Sequence, residues 1–173
     1  MSDMKDVPIK PASTILMLRD GDTGLEVLMV KRHHQIDFAS GAYVFPGGKV
    51  DDADGLTNAD EVRALCSNSD NMDDLELAFR VAAIREALEE ADLIFARKDG
   101  EIVNAQTLDN MDADREALNN RETTMVEIAK KHGIELGLDL LTPFAHWITP
   151  PVMPKRFDTR FYLAADLIGQ HAA

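Results

Sequence analysis

Leu77, Val81, Ile84, Leu88 and Ala91 recur at spacings of 4, 3, 4 and 3 residues, a stripe that only a helix gathers onto one face. At ~100° per residue, with Glu86 set at zero, Glu90 lies about 40° to one side and Glu89 about 60° to the other. The apolar stripe, joined by Ala87, takes the opposite half. Three carboxylates thus share one face of a helix whose other face is expected to be buried. Like charges one turn apart cost ~0.2–0.5 kcal/mol even on an exposed helix. Arg85, adjacent to Glu89 on the wheel, would offset that cost, and so would a hard divalent cation, which prefers oxygen ligands. A solvated acidic face is the plain alternative.

A length of 173 residues suits one ordinary domain, and 45% hydrophobic with 28% charged residues is enough to build a core. Disordered and fibrous classes are therefore excluded. No apolar stretch approaches the ~18 residues that span a membrane, and Met1 to Lys10 has no apolar leader run. A single cysteine, Cys66, forms no internal disulfide, so a cytoplasmic location is expected and no membrane partner. Eighteen Lys and Arg face 31 Asp and Glu, a net charge of −13. Such a field repels a phosphate backbone, and no nucleic-acid partner is expected. Small phosphorylated ligands stay open, because a bound divalent cation reverses the field locally.

Along the chain, Ala12–Leu18 and Leu25–Val30 flank the turn-forming Arg19–Asp22 and predict a hairpin. Tyr43-Val44-Phe45 predicts a short strand stopped by Pro46-Gly47-Gly48, where bare backbone can approach a metal or a phosphate. Residues 51–74 are acidic and irregular, with one short helix around 60–65. Residues 110–119 and 122–131 predict two further helices, the second stopping near Gly133. Residues 140–149 and 157–164 predict late strands, so the class is mixed α/β.

Gly48, Asp54 six positions on, and Arg85-Glu86-Ala87-Leu88-Glu89-Glu90-Ala91-Asp92-Leu93 together resemble the signature box of the Nudix hydrolases. That box reads G-x5-E-x7-REU-x-EE-x-G-U, with U a bulky aliphatic residue. Asp54 stands where the family has Glu, and Asp92 where it has Gly. Ala87 is small at an aliphatic position. Thirty residues, 55–84, replace seven, an insertion of 23. The insertion resembles the long-insert-box subgroup that includes the peroxisomal coenzyme A diphosphatase, as do Trp147-Ile148-Thr149-Pro150 and Arg156-Phe157-Asp158-Thr159.

The resemblance implies a Nudix-type α/β/α sandwich with a mixed sheet, formed as one domain over residues 1–173. It implies metal-dependent hydrolysis of a nucleoside diphosphate linked to another moiety, with coenzyme A or acyl-CoA first among substrates. A catalytically silent nucleotide-binding or regulatory module of the same fold is the alternative. Mg²⁺ or Mn²⁺ is the implied cofactor, on Glu86, Glu90 and Glu89 with a backbone carbonyl of Gly48 or Gly47. Glu89 is a further ligand or the base, and Arg85 orients it. Candidate substrate-binding residues are Arg32, Phe45 and Arg156. Asp54 falls outside the ligand set, in an outer or loop-packing role, and Asp92 takes a left-handed helix-end position.

The remaining features take plainer expectations. His33 and His34 are read as surface or structural, and Trp147 as core. Asn110, Asp112 and Asp114 mimic a calcium loop but fail it, with Arg115 at the glycine position and Arg121 at the closing glutamate. The insert at about 55–74 is expected outside the sheets, shaping the entrance or a subunit contact. The chain ends short of the family's usual final helix, which would leave Ile15, Met17, Leu28 or Phe161 uncovered and 157–164 as a bare sheet edge. A homodimer is the expected remedy, with cover by residues 110–132 as its competitor.

Overall fold

The computed structural model describes residues 7–31, 41–167 and 170. Its longest strand, β1 (Ile9–Gly21), alternates strictly enough to bury Ser13, Ile15 and Met17 on one side. β2 (Gly24–Val27) returns antiparallel to it, closing at Gly24, whose φ of 138° is glycine territory. The short strands β3 (Val30–Lys31) and β4 (Tyr43–Val44) pair with each other. β5 (Gly47–Lys49) then joins the lower half of β1 at Ala12 to Thr14.

A helical turn over Asp52–Asp54 leads to α1 (Ala59–Arg63), β6 (Cys66–Ser67) and the long helix α2 (Asp74–Ala91). β7 (Ala96–Lys98) and β8 (Glu101–Ile102) form a hairpin. Three short helices follow: α3 (Ala105–Asp109), α4 (Asp112–Asn119) and α5 (Met125–His132). The last strands are β9 (Glu135–Gly137), β10 (Thr142–Ile148) and β11 (Arg156–Ala165). The larger sheet runs β10-β11-β1-β2 with β5 also on β1, and β11 lies parallel to β1. The smaller sheet runs β6-β9-β7-β8. Parallel and antiparallel pairs in both sheets, with helices packed on them, make this the expected mixed α/β architecture.

The helix α2 is where the expectation of one buried and one solvated face changes. Its apolar stripe is buried, but so are Arg80, Arg85 and Glu86 on the other sides. One side lies on β1, where the Ser13 hydroxyl donates to the Phe79 carbonyl at 2.6 Å. The same core continues to Phe95 and Leu136 around the smaller sheet. A helix enclosed this fully must satisfy its charges internally. Arg80 donates to Glu76 at 2.7 Å and to the Leu138 carbonyl at 2.8 Å, and Glu76 also accepts from Arg160 at 2.6 Å.

Four further expectations are corrected. Cys66 and Ser67 pair with Leu136 and Gly137, so the insert supplies a strand to the smaller sheet, and its Val62 is fully buried. β11 is no sheet edge, because β1 and β10 flank it and the edge on that side is β10. Trp147 is no core residue: it is 69% exposed on β10, leaning on Phe161 at 5.3 Å. Ile15 and Met17 lie buried beneath α2, and the apolar patch invoked for a homodimer is therefore not the one expected. Arg32, His33 and His34 fall outside the described residues.

At the end of α2, Asp92 takes φ 56° and ψ 42°, the left-handed conformation expected of a helix-terminal glycine position. Among the described residues its buried Oδ1 accepts no hydrogen bond, and Arg115 approaches only to 3.9 Å. Asp92→Gly removes both the strain and the unpaired oxygen. It should gain on the order of 1 kcal/mol, a melting point ~2–4 °C higher, read by calorimetry. An unchanged or lower melting point would show that the Arg115 contact matters more than the strain.

Candidate functional site

Arg85 organises the site from inside. It is buried, and its fork is shared among four acceptors. Nε donates to Asp54 Oδ1 at 3.0 Å and Nη2 to the Lys49 carbonyl at 2.7 Å. Nη1 donates to Glu86 Oε1 at 2.9 Å and to Glu89 Oε1 at 3.1 Å. Asp54 is 2% exposed and also accepts the Asp51 N–H at 2.8 Å, closing a capping box on its own helical turn. The shortened carboxylate therefore has the expected supporting role: it grips Arg85, and Arg85 orients Glu86 and Glu89.

The glycine loop meets the helix on the same side. Gly47 donates its N–H to Glu90 Oε2 at 3.2 Å. At Gly48 an added Cβ would lie 2.4 Å from Glu86 Oε1, so only a bare backbone lets this carboxylate sit against the loop. At Gly47 the same atom would lie 2.6 Å from the Ser13 carbonyl. Both glycines are demanded by close approach.

The carboxylates are held in an environment that resists their charge. Burial pushes Glu86 up to about 8; Arg85 opposes the rise, and the neighbouring Glu89 and Glu90 add to it. Burial also raises Glu89 and Asp54 above the usual carboxylate range, in each case against Arg85. Burial works against the Arg85 cation, yet Asp54 and Glu86 outweigh it and its pKa is raised.

These residues open onto a cleft of about 720 Å³. Glu86, Glu89, Glu90, Gly47 and Gly48 line it, and Arg85 reaches its wall. Among the described residues no three Asp, Glu, His or Cys side chains stand as a ready-made metal cage. Glu86 and Glu90 meet the loop at Gly48 and Gly47, and Arg85 holds both Glu86 and Glu89. The donors are nonetheless all oxygens, crowded with like charge beside a carbonyl-bearing loop that leaves no room for a side chain at Gly48. That chemistry fits a hard divalent cation.

Two expected substrate contacts lie elsewhere. Phe45 is half-buried away from the cleft lining, and Arg156 donates to the Thr149 carbonyl at 3.0 Å within the β10–β11 hairpin. Phe157 and Thr159, on the same strand as Arg156, line the cleft instead. Lys49, Asp51 and Arg121 line it too and were not singled out as site residues. Lys49 and Asp51 follow the Gly-Gly pair directly, a signal the sequence did carry. Arg121 had none, being brought in from the distant end of α4.

The raised pKa of Glu86 makes the metal-free protein sensitive to pH. A carboxyl at about 8 when folded and near its ordinary 4.5 when unfolded contributes stability while protonated. That contribution is lost as pH rises from about 5 through 8. Glu86→Gln should flatten this decline, with a melting-temperature gain over wild type that grows with pH in chelator-treated samples. A gain independent of pH would assign the decline to other groups.

The NUDT19 Nudix domain family matches residues 57–167 of this chain, the stretch that holds the three glutamates and the late strands. The acyl-coenzyme A diphosphatase NUDT19 of Xenopus laevis is 24% identical over 193 residues, covering 90% of this chain. A Caenorhabditis elegans protein named as a nudix hydrolase is 32% identical over 152 residues, covering 88% of it. The chain spans about half the length of these curated relatives, 51% of the first and 42% of the second. Among solved structures, a NUDIX hydrolase from Alicyclobacillus acidocaldarius superposes with a TM-score of 0.75 at 29% identity, over 96% of this chain and 72% of its own. With the glycine loop, the REALEE helix and the fold in agreement, this chain belongs to the Nudix family, in the group of the NUDT19 Nudix domain.

Proposed function

We propose that this chain is a metal-dependent diphosphatase that cleaves the phosphoanhydride bond of a nucleoside diphosphate linked to another group, with acyl-CoA or coenzyme A as the first substrates to test. The observation that carries the reading is the cleft in which Glu86, held by Arg85, lies against Gly48 while Glu90 accepts from the Gly47 N–H. The relative named as an acyl-coenzyme A diphosphatase supports the substrate class.

In the reaction, water adds to one phosphorus, the bridging P–O bond breaks, and the proton lost by water needs an acceptor. Glu86 and Glu90, with a backbone carbonyl of Gly48 or Gly47, would hold Mg²⁺ or Mn²⁺. The bound ion supplies charge neutralisation at the diphosphate and a lowered pKa for water. Glu89 takes the proton. Its carboxyl is raised toward neutrality by burial, which makes it a better acceptor than an ordinary glutamate. Arg85, committed to four protein acceptors, touches no substrate. It holds Glu86 and Glu89 in place through Asp54.

Glu86→Gln and Glu90→Gln each remove a charge with little change in volume. Both should keep the fold, read by circular dichroism, while metal-dependent turnover falls about 10²-fold or more. Phosphate release on a panel of coenzyme A, acyl-CoA, ADP-ribose and dinucleotides, with Mg²⁺ or Mn²⁺, measures turnover and ranks the substrates. Wild-type rates in either variant would remove these glutamates from the chemistry. Metal-dependent binding with no turnover on any panel member would establish the silent nucleotide-binding module instead.

A further inference from the structure

α4 is clamped to the helix that carries the glutamates. Arg115 Nε donates to the Leu88 carbonyl at 2.9 Å, and its Nη2 to the Glu89 carbonyl at 3.1 Å. These are backbone carbonyls of the last turn of α2, where a cation also complements the helix dipole. The far end of α4 is therefore held in a set position over the cleft, and Leu118, Asn119 and Arg121 line it from there.

α4 stops in a Schellman arrangement. The Glu122 N–H donates to the Ala117 carbonyl at 2.8 Å and the Arg121 N–H to the Leu118 carbonyl at 3.0 Å. The residue at the left-handed position of this motif is Arg121, with φ 60°. Glycine is the residue that takes that position without strain, and α5 ends at one, Gly133, with φ 62°. The side chain of Arg121 does not recover the strain locally. It is 81% exposed, and its ion pair with Asp51 is long, at 3.8 Å. A pair this exposed returns less than a left-handed arginine costs. Strain retained beside a cleft, on a residue that the fold would accept as glycine, points to use of the side chain.

The cleft needs such a side chain. Four carboxylates, Asp51, Glu86, Glu89 and Glu90, line it. Arg85 is spent on protein acceptors, and Arg156 is tied to the Thr149 carbonyl away from the lining. Among the described residues, the cations left at the cleft are Lys49, on β5 at the loop itself, and Arg121, just past the end of α4. A guanidinium engages two phosphate oxygens at once, which an ammonium does not.

Resting on the diphosphatase reading, we propose that Arg121 is a substrate-binding residue that clamps the diphosphate of the substrate from the α4 side, exchanging its weak pairing with Asp51 for two phosphate oxygens. Specificity then falls on the anionic diphosphate itself, and the corner between α4 and α5 belongs to the substrate site.

The test uses the full chain and two variants, Arg121→Gly and Arg121→Lys. Three quantities are read: the melting temperature without metal, calorimetric binding of inorganic pyrophosphate with Mg²⁺, and KM with kcat on the best panel substrate. Arg121→Gly should melt higher than wild type by a few degrees. It should also bind pyrophosphate about tenfold or more weakly and raise KM by a similar factor, with a smaller change in kcat. Arg121→Lys should restore part of the affinity and none of the stability. Unchanged pyrophosphate affinity in Arg121→Gly, or no pyrophosphate binding by wild type, overturns the proposal. A lower melting temperature in Arg121→Gly overturns the strain argument on which it stands. If wild type binds pyrophosphate in an Arg121-dependent way yet hydrolyses nothing, the diphosphatase reading fails and the clamp stands. Turnover with an unchanged KM fails the clamp alone.

Discussion

A buried guanidinium must be surrounded by acceptors or it unfolds its surroundings, and Arg85 meets that demand by drawing three segments together. Asp54 comes from the turn after β5, the Lys49 carbonyl from β5 itself, and Glu86 and Glu89 from its own helix. Removing Arg85 itself would strand the buried Asp54 carboxylate without its counter-charge, a loss of ~3–5 kcal/mol. The glycine loop, the root of the insert and the glutamate-bearing turn of α2 are thereby held as a unit. The geometry proposed for chemistry is the same geometry that keeps the charge satisfied.

That arrangement also explains why α2 carries so much charge while lying in the core. Near its start, Glu76 gathers Arg80 and Arg160, and Tyr162 donates to it at 3.3 Å. Near its end, Arg115 caps the last carbonyls. Each cluster bridges α2 to another element, so the helix is located along its length by polar contacts with defined partners as well as by packing. Packing alone tolerates sliding and rotation of a few degrees; a fork of hydrogen bonds at 2.6–2.9 Å tolerates much less. A site that depends on carboxylates beside Gly47 and Gly48 needs that restriction.

The parts legible in the sequence were those where local pattern and tertiary demand agree. The 4-3-4-3 stripe identified α2, and two apolar runs flanking a turn-forming cluster identified β1 with its hairpin. Asp92 sits in the left-handed conformation expected from the glycine it replaces, and Asp54 lies behind the glutamates on Arg85, in keeping with the outer role the resemblance implied. Elsewhere the local signal pointed away. Trp147, large and apolar, reads as core and is mostly exposed, because β10 is an edge strand, which in its own residues only Pro143 marks. Cys66 and Ser67 sit in an acidic, irregular stretch and still form a strand, because Leu136 and Gly137 offer them a ladder.

By itself the sequence determined the carboxylate-bearing helix and the glycine loop, because each follows from residue types at short fixed spacings; that Arg85 draws in Asp54 and the Lys49 carbonyl, 31 and 36 residues away, took the tertiary structure. Tertiary structure alone decided which cations face the cleft. Arg156 looked available and is committed to a backbone carbonyl, while Arg121, previously only a misfit in a calcium-loop pattern, lines the site. The reason is physical: a helix end is aimed by what clamps its other end, and for α4 that clamp is Arg115 on the carbonyls of a helix more than twenty residues earlier. No local pattern records where such a contact will be made.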